Sequence, residues 1–406
     1  MQAKGIFFNI PGYGHVNPTL PMIKELVDRG AEVHYCCTEE FRPMIERTGA
    51  KFIPLPAEVV YATNEAFNLL KIFADLLEHT YDVMPQLEQL MKTEGYDYIL
   101  ADMYTPWGRM LSDRLNLPLM TFFPSFALHP KLKEPKDSPV QILKDWRTSL
   151  PSGWRLFRGY KKLQKAYGTP KVSVLAFLNG EINNPCLTFT APEFQPQKEV
   201  FPANYLFTGP NINTSVRLPD DTFPMERLEG KNVIYISLGS VVVKRSFIRT
   251  CIDAFKNTNY LVVLNISKQY EKASFPETEN IILCNFAPQL EILPKAALFI
   301  THGGMNSTHE GIYFEVPLLV VPQGGDQFLV AQTVEQHGLG KRLNEKGLTA
   351  KKLLRLTEQI LKDKKTKKNV QKMSQALKQS GGYKKAADEV QTFVQKNIKK
   401  QPKITV

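Results

Sequence analysis

The sequence predicts an α/β protein built from two doubly wound parallel sheets, and three observations predict it. Short apolar runs alternate with helical patterns along the first third of the chain. The alternation lapses in a Pro-, Asn-, Asp- and Gly-rich stretch at 208–232, then starts afresh at "NVIYISLGS" (232–240). Strand–helix alternation at this spacing favours parallel strands, each crossover helix covering one face of the sheet. At 406 residues the chain is long enough for two cores.

In order, "KGIFFNI" (4–10) reads as the first strand and "PTLPMIKELVDRG" (18–30) as a helix closed by Gly30. "EVHYCCT" (32–38) is a second strand, "EEFRPMIERTG" (39–49) a second helix and "KFIPLP" a third strand. "DYILADM" (97–103) and "PLMTFFPS" (118–125) follow as further strands. In the second half, "SFIRTCIDAFKNT" reads as a helix. "YLVVLNIS", "IILCNFAP", "AALFITHGG" and "VPLLVVPQ" read as strands, and two helical stretches close the chain. Turn-forming residues make 208–232 the best linker, so the halves are expected to join near residue 215. A cleft between them is the expected ligand site. Residues 126–185 are less regular, mixing basic residues with Trp, Phe and Tyr. They fit an inserted helix with a solvated basic face, or a lid whose aromatics line an apolar pocket or touch a membrane surface.

The net charge of +11 is confined to the tail. Residues 351–406 hold 16 Lys and Arg against four Asp and Glu, a net of +12, which leaves −1 for residues 1–350. No nucleic-acid motif accompanies these charges, so solvated helix faces are the expected reading and a nucleic-acid partner is not expected. No apolar run reaches the ~18–20 residues that span a bilayer. The N-terminus reads as a strand, not a signal peptide. Five cysteines stand at 36, 37, 186, 251 and 284 without metal spacing, which favours reduced thiols and a cytoplasmic protein.

Chemistry concentrates in "FITHGGMNSTHEG" (299–311), a strand, a glycine turn and the start of a helix. The first amides of a helix are unpaired and the dipole is positive there, so such an end attracts anions. Gly303 and Gly304 permit close backbone approach. Asn306 and Ser307 can cap the helix or bond a phosphate, His302 can donate to the same group, and Glu310 lies one turn in, within reach of a ribose diol. A diphosphate-bearing nucleotide fits this stretch, and so does a plain turn capped by Ser307.

The flanking "NFAPQLEIL" (285–293) and "EVPLLVVPQGGDQ" (315–327) separate the two readings. With them the chain resembles the family 1 UDP-glycosyltransferases, in particular their bacterial macrolide-type branch, from "GHVNP" (14–18) to Asp326–Gln327. The resemblance implies the GT-B fold: two Rossmann-like domains facing each other across a cleft. Residues 1–215 would bind the acceptor and 216–384 the nucleotide sugar, with 385–406 a terminal helix crossing back to the first domain. It implies that Phe286 stacks on uracil with Gln289 close to the base. His302 and the amides around Gly304, with Asn306, Ser307 and Ser240, would hold the diphosphate. Glu310 would bind the ribose hydroxyls, and Asp326 and Gln327 the sugar. Phe286 stands where many members carry Trp, which keeps stacking but loses the indole donor.

His15, in "PGYGHVNP" (11–18), follows the first strand at its C-terminal edge, and Asp102 ends another strand of the same sheet. Imidazole titrates near neutrality and can take a hydroxyl proton at working pH, provided a carboxylate orients it. The resemblance makes the same assignment, with His15 as base and Asp102 as its partner. Asp97 precedes its strand and belongs at the opposite end. The expected activity is inverting transfer of a hexose, glucose above others, from a UDP-sugar to a hydroxyl of a small apolar acceptor such as a macrolide or flavonoid. No Asp-x-Asp occurs in the chain, so neither metal nor other cofactor is expected, and the protein is expected to be monomeric. The alternatives are a glycolipid glucosyltransferase at a membrane surface, a nucleotide-sugar-binding protein without transfer activity, and a nucleotide-sugar epimerase of similar fold.

Overall fold

A computed structural model describes residues 3–56, 69–129, 131–132, 146–168, 184–217, 222–239 and 244–398. The chain divides into two compact units, Met1–Val216 with Ser380–Val406, and Arg217–Gln379.

The first unit runs β1 (Lys4–Phe8), α1 (Tyr13–Val16), α2 (Leu20–Asp28), β2 (Glu32–Cys37), α3 (Arg42–Glu46), β3 (Lys51–Pro54) and α4 (Leu69–Glu94). It continues with β4 (Tyr98–Asp102), α5 (Pro106–Leu115), β5 (Leu119–Phe123), α6 (Trp146–Tyr167), β6 (Cys186–Thr188) and β7 (Tyr205–Phe207). The strands pair in the order β3-β2-β1-β4-β5-β6-β7, every pair parallel. A parallel sheet is covered on both faces, which is why its strands read as continuous apolar runs. The alternation of side chains along each strand then sorts them into two cores. Ile6, Phe8, Ile99 and Ala101 face Leu77 and Met84 of α4, Trp107 and Leu111 of α5, and Leu156 and Tyr160 of α6. Phe7, Tyr98 and Leu100 face Leu20, Ile23 and Leu26 of α2 on the other side.

The second unit holds β8 (Val233–Ser237), α7 (Arg245–Phe255), β9 (Leu261–Asn265), β10 (Ile281–Cys284), α8 (Gln289–Ile292), β11 (Ala296–Thr301) and α9 (Met305–Tyr313). Then come β12 (Leu318–Val320), α10 (Gln327–Gln336), β13 (Gly340–Arg342), α11 (Ala350–Lys362) and α12 (Lys364–Gln379). Its sheet is parallel in the order β10-β9-β8-β11-β12-β13. Ile234, Ile236, Leu298 and Ile300 pack under Phe247 and Phe255 of α7 and Leu353 of α11. Both sheets therefore show the doubly wound Rossmann-like order, reversing between β1 and β4 and between β8 and β11.

The last helix, α13 (Gly382–Ile398), lies in the first unit, where Ala386, Val390 and Phe393 complete the α2 face. Burying a side chain such as Phe393 contributes about 1.5–3 kcal/mol.

Three elements differ from the sequence reading in detail. The helix expected over 39–49 begins as a single 3-10 turn, and α3 follows from Arg42 with Pro43, which has no N–H to give, in its first turn. The helix expected over 18–30 starts at Leu20, with Thr19 at its N-cap position bonding Val16 O and Tyr35 Oη through its hydroxyl and not capping the helix. The tail forms three helices rather than two. Asp363 leaves helical geometry and accepts from Lys365 N and Thr366 Oγ1, while Gly381 and Gly382 at φ +96° and +59° end α12. In the irregular segment, α6 buries Leu156, Tyr160 and Leu163 and leaves Trp154 and Phe157 exposed.

Candidate active site

In a doubly wound sheet, ligands bind beyond the carboxyl ends of the strands where the order reverses. In the first unit those strands are β1 and β4. β1 runs into Asn9, Pro11–Gly12 and the single turn of α1, which carries His15, and Asp102 is the last residue of β4. His15 Nδ1 lies 2.9 Å from Asp102 Oδ2. The carboxylate is enclosed, with 1% of its side chain exposed, whereas His15 keeps 23%. A buried carboxylate must find donors, and this one has two, since Oδ1 accepts the Tyr104 amide at 2.8 Å. A carboxylate only accepts, so Nδ1 carries the hydrogen and Nε2 is left as the acceptor. Asp97 is at the other end of the sheet, bonded to Lys4 N at 2.7 Å.

The loop under His15 is pinned by residues that the sequence did not point to. Asn9, fully buried, donates to His15 O at 3.1 Å and to Tyr35 Oη at 2.6 Å, and its Oδ1 accepts Ile10 N. Thr19 Oγ1 closes the network on Tyr35 Oη at 2.7 Å. Beside the imidazole, the Tyr104 ring stands edge-on at 5.3 Å and stacks in turn on Phe73.

In the second unit the reversal lies between β8 and β11, so Gly239 and His302 leave adjacent strands. A Cβ on Gly239 would come within 3.0 Å of the His302 ring, and one on Gly304 would run into its Nε2. Gly303, at φ +85°, adopts the left-handed turn and has Val320 Cγ1 2.6 Å from where a Cβ would be. Helix α9 then starts with Gly304 as N-cap and no side-chain cap. Asn306 and Ser307, possible caps in the sequence reading, instead lie inside the first turn. The first amides of α9 are thus left without a side-chain cap. Enclosure of His302 lowers its pKa to about 4, and His309, buried in α9, is pushed to about 3. Both rings are neutral at working pH, so His302 offers a hydrogen bond and not a charge.

Gln289, Ser307 and Glu310 form one polar cluster. The Gln289 amide donates to Glu310 Oε2 and, at 3.3 Å, to Ser307 Oγ, while its Oε1 accepts the Tyr235 hydroxyl at 3.2 Å. Glu310 Oε1 takes Nη2 of Arg217 at 2.5 Å. Neither Tyr235 nor Arg217 carries a motif that would have marked it. Phe286, after β10, is 51% exposed, an apolar ring held in solvent. Its neighbour Asn285 fixes the loop through Ser267 O and Tyr270 O, both at 2.7 Å.

Asp326 is exposed at the start of α10 and makes no side-chain cap there. Gln327 Oε1 accepts Gln323 N at 2.7 Å and Gly324 N at 3.2 Å, so its carbonyl shapes its own loop. Ser240 lies outside the described residues. Among the described residues no group of three or more His, Cys, Asp or Glu is placed to hold a metal ion, and no helix is long and apolar enough to cross a membrane.

The family model for UDP-glucoronosyl and UDP-glucosyl transferase matches residues 201–380. An uncharacterised UDP-glucosyltransferase of Bacillus subtilis is 30% identical, over 96% of this chain and 97% of its own. An NDP-glycosyltransferase of Bacillus licheniformis is 31% identical, over 95% and 96%. The demethyllactenocin mycarosyltransferase of Streptomyces fradiae is 28% identical, over 95% and 85%. Among solved structures, the glycotransferase of kitacinnamycin superposes with a TM-score of 0.84 at 23% identity, over 97% of this chain and 99% of that one, which shows the GT-B fold. Identity at this level along nearly the whole chain places the protein among the bacterial family 1 glycosyltransferases, the family of the UDP-glucuronosyl and UDP-glucosyl transferases.

Proposed function

We propose that the protein is an inverting, metal-independent O-glycosyltransferase. It moves a hexose, glucose above others, from a UDP-sugar to a hydroxyl of a small apolar acceptor of the macrolide or phenolic type. The observation that carries this reading is the His15–Asp102 pair at 2.9 Å. Binding a nucleotide sugar needs neither residue, whereas deprotonating an alcohol needs both: a base and a carboxylate that orients it and stabilises the imidazolium.

His15 Nε2 takes the acceptor's proton as the acceptor oxygen forms its bond to the anomeric carbon. The bond from that carbon to the diphosphate oxygen breaks on the opposite face, and UDP leaves with the electron pair. The negative charge growing on the diphosphate is met by the α9 amides at Gly304 and by neutral His302, with Asn306, Ser307 and Ser240 as further donors. These donors are fixed in advance and need no reorganisation at the moment of reaction. Phe286 stacks on the base beside Gln289, Glu310 takes the ribose hydroxyls, and Asp326 with the Gln327 amide takes hydroxyls of the sugar. The names of the relatives, a UDP-glucosyltransferase and a demethyllactenocin mycarosyltransferase, support a UDP-sugar donor and a natural-product acceptor respectively.

The test is UDP release from UDP-glucose with a panel of macrolides and phenols in the presence of EDTA, for wild type and His15→Ala. Acceptor-dependent release that survives EDTA and collapses in the variant is expected. Release unaffected by His15→Ala would overturn the assignment of the base, and loss of release with EDTA would overturn metal independence.

A further inference from the structure

Glu310 is engaged at both carboxylate oxygens, by Arg217 and by Gln289, and only 6% of its side chain is exposed. Arg217 is the first residue of the second unit and precedes Glu310 by 93 positions. We propose that Arg217 is a positioning residue of the donor site, the counter-ion of Glu310 that allows a nucleoside diphosphate, and not only a nucleoside, to bind there. The inference rests on the reading of the second unit as a nucleotide-sugar site.

The argument is electrostatic. Glu310 lies six residues beyond the α9 N-cap, a rise of roughly 9 Å along the helix. A diphosphate at that helix end brings negative charge to within about a Debye length of a buried carboxylate, where little water intervenes to screen it. The helix end offers only about half an elementary charge in return. Arg217 cancels the carboxylate where it stands. It also aims it: with Oε1 held by the guanidinium, Oε2 takes the Gln289 amide, and Gln289 in turn holds Tyr235 and Ser307. Removing Arg217 would leave a buried carboxylate without its counter-ion near the anionic part of the donor, while Gln289 and the ribose-facing acceptor atoms would remain.

Titration calorimetry of UDP and of uridine into the full-length protein tests this, with wild type, Arg217→Ala, Arg217→Lys and the double variant Arg217→Ala/Glu310→Gln. A group that merely supports the fold would weaken both ligands alike. Arg217→Ala is expected to weaken UDP about tenfold or more, as loss of a charged hydrogen bond would, while uridine changes less than about threefold. Arg217→Lys is expected to recover most of the loss. The double variant, which buries no bare charge, is expected to return the UDP-to-uridine affinity ratio to within about threefold of wild type. In turnover, the donor KM rises and kcat holds. Should Arg217→Ala not fold, Arg217→Gln, which removes the charge but keeps most of the bulk, takes its place with the same expected loss, and a double-variant ratio about tenfold below wild type would overturn the proposal. Equal losses for UDP and uridine, or UDP binding unchanged in Arg217→Ala, would overturn it while leaving the donor site standing. Wild-type protein that binds no UDP would overturn the donor-site reading and this inference together.

Discussion

His15 Nδ1 and Asp102 Oδ2 stand 2.9 Å apart at the carboxyl ends of the two strands where the first sheet reverses its order, and the Tyr104 amide holds the second oxygen of the same carboxylate at 2.8 Å. With both oxygens bonded the carboxylate has one orientation, so the imidazole has one tautomer. Asp102→Asn should lower kcat about 10²- to 10⁴-fold, because the amide NH2 can donate to Nδ1 and favour the wrong tautomer. The donor KM should hold, since the donor residues lie elsewhere in the sequence. Steady-state kinetics on a variant with wild-type thermal unfolding would check this, and an unchanged kcat would remove Asp102 from the mechanism.

Asn9 acts one step back. In Asn9→Leu the Tyr35 hydroxyl and the His15 carbonyl lose a buried partner, at a cost of about 1–3 kcal/mol. Urea unfolding should show that loss, and kcat should fall more than donor affinity because the pinned loop carries His15. Equal effects on both would mark Asn9 as a stabilising residue only.

The glycine turn should tolerate no side chain. Gly303→Ala would force a left-handed alanine, costing roughly 1–2 kcal/mol, against Val320. Gly304→Ala would drive a methyl group into His302. Both should weaken UDP by about tenfold or more, read by titration calorimetry, and Gly304→Ala should do so with the smaller loss of stability because its φ of −62° suits alanine.

Phe286 is half exposed, so its truncation should cost little stability. If it stacks on the base, Phe286→Ala should weaken UDP roughly 5- to 150-fold, the range of about 1–3 kcal/mol for such stacking, and Phe286→Trp should retain binding. Unaltered UDP affinity in Phe286→Ala would place the base elsewhere.

Acid should destabilise the fold before it protonates the two enclosed histidines. Burial holds His302 down to about 4 and His309 to about 3, whereas in the unfolded chain each takes a proton near the ordinary 6.5. Between pH 6.5 and 4 the unfolded state therefore binds more protons, and stability falls as pH falls. The slope from these two rings is up to about 3 kcal/mol per pH unit. Above 6.5 their contribution is fully present and constant. Urea unfolding at pH 7, 6 and 5 should show the decline, and His309→Gln should remove about one proton from it.

The two parallel sheets were legible because strands covered on both faces are continuous apolar runs, as in "GIFF" and "VIYIS", punctuated by Gly30 and by the Gly303–Gly304 turn. Asp102 was legible as a polar residue where such a run ends, and His15 as one in the turn that follows another. The three-helix tail was not, since whether Asp363 continues a helix or caps the next depends on where its carboxylate finds donors. Nor were Asn9 with Tyr35, or Arg217 with Glu310, whose partners lie 26 and 93 residues away. The sequence by itself determined which segments are buried and where each strand ends, because hydrophobic periodicity and glycine stops are local. Only the tertiary structure decided which polar groups meet, because a hydrogen bond is chosen by proximity in the folded chain, and distant partners leave no periodic mark on one another.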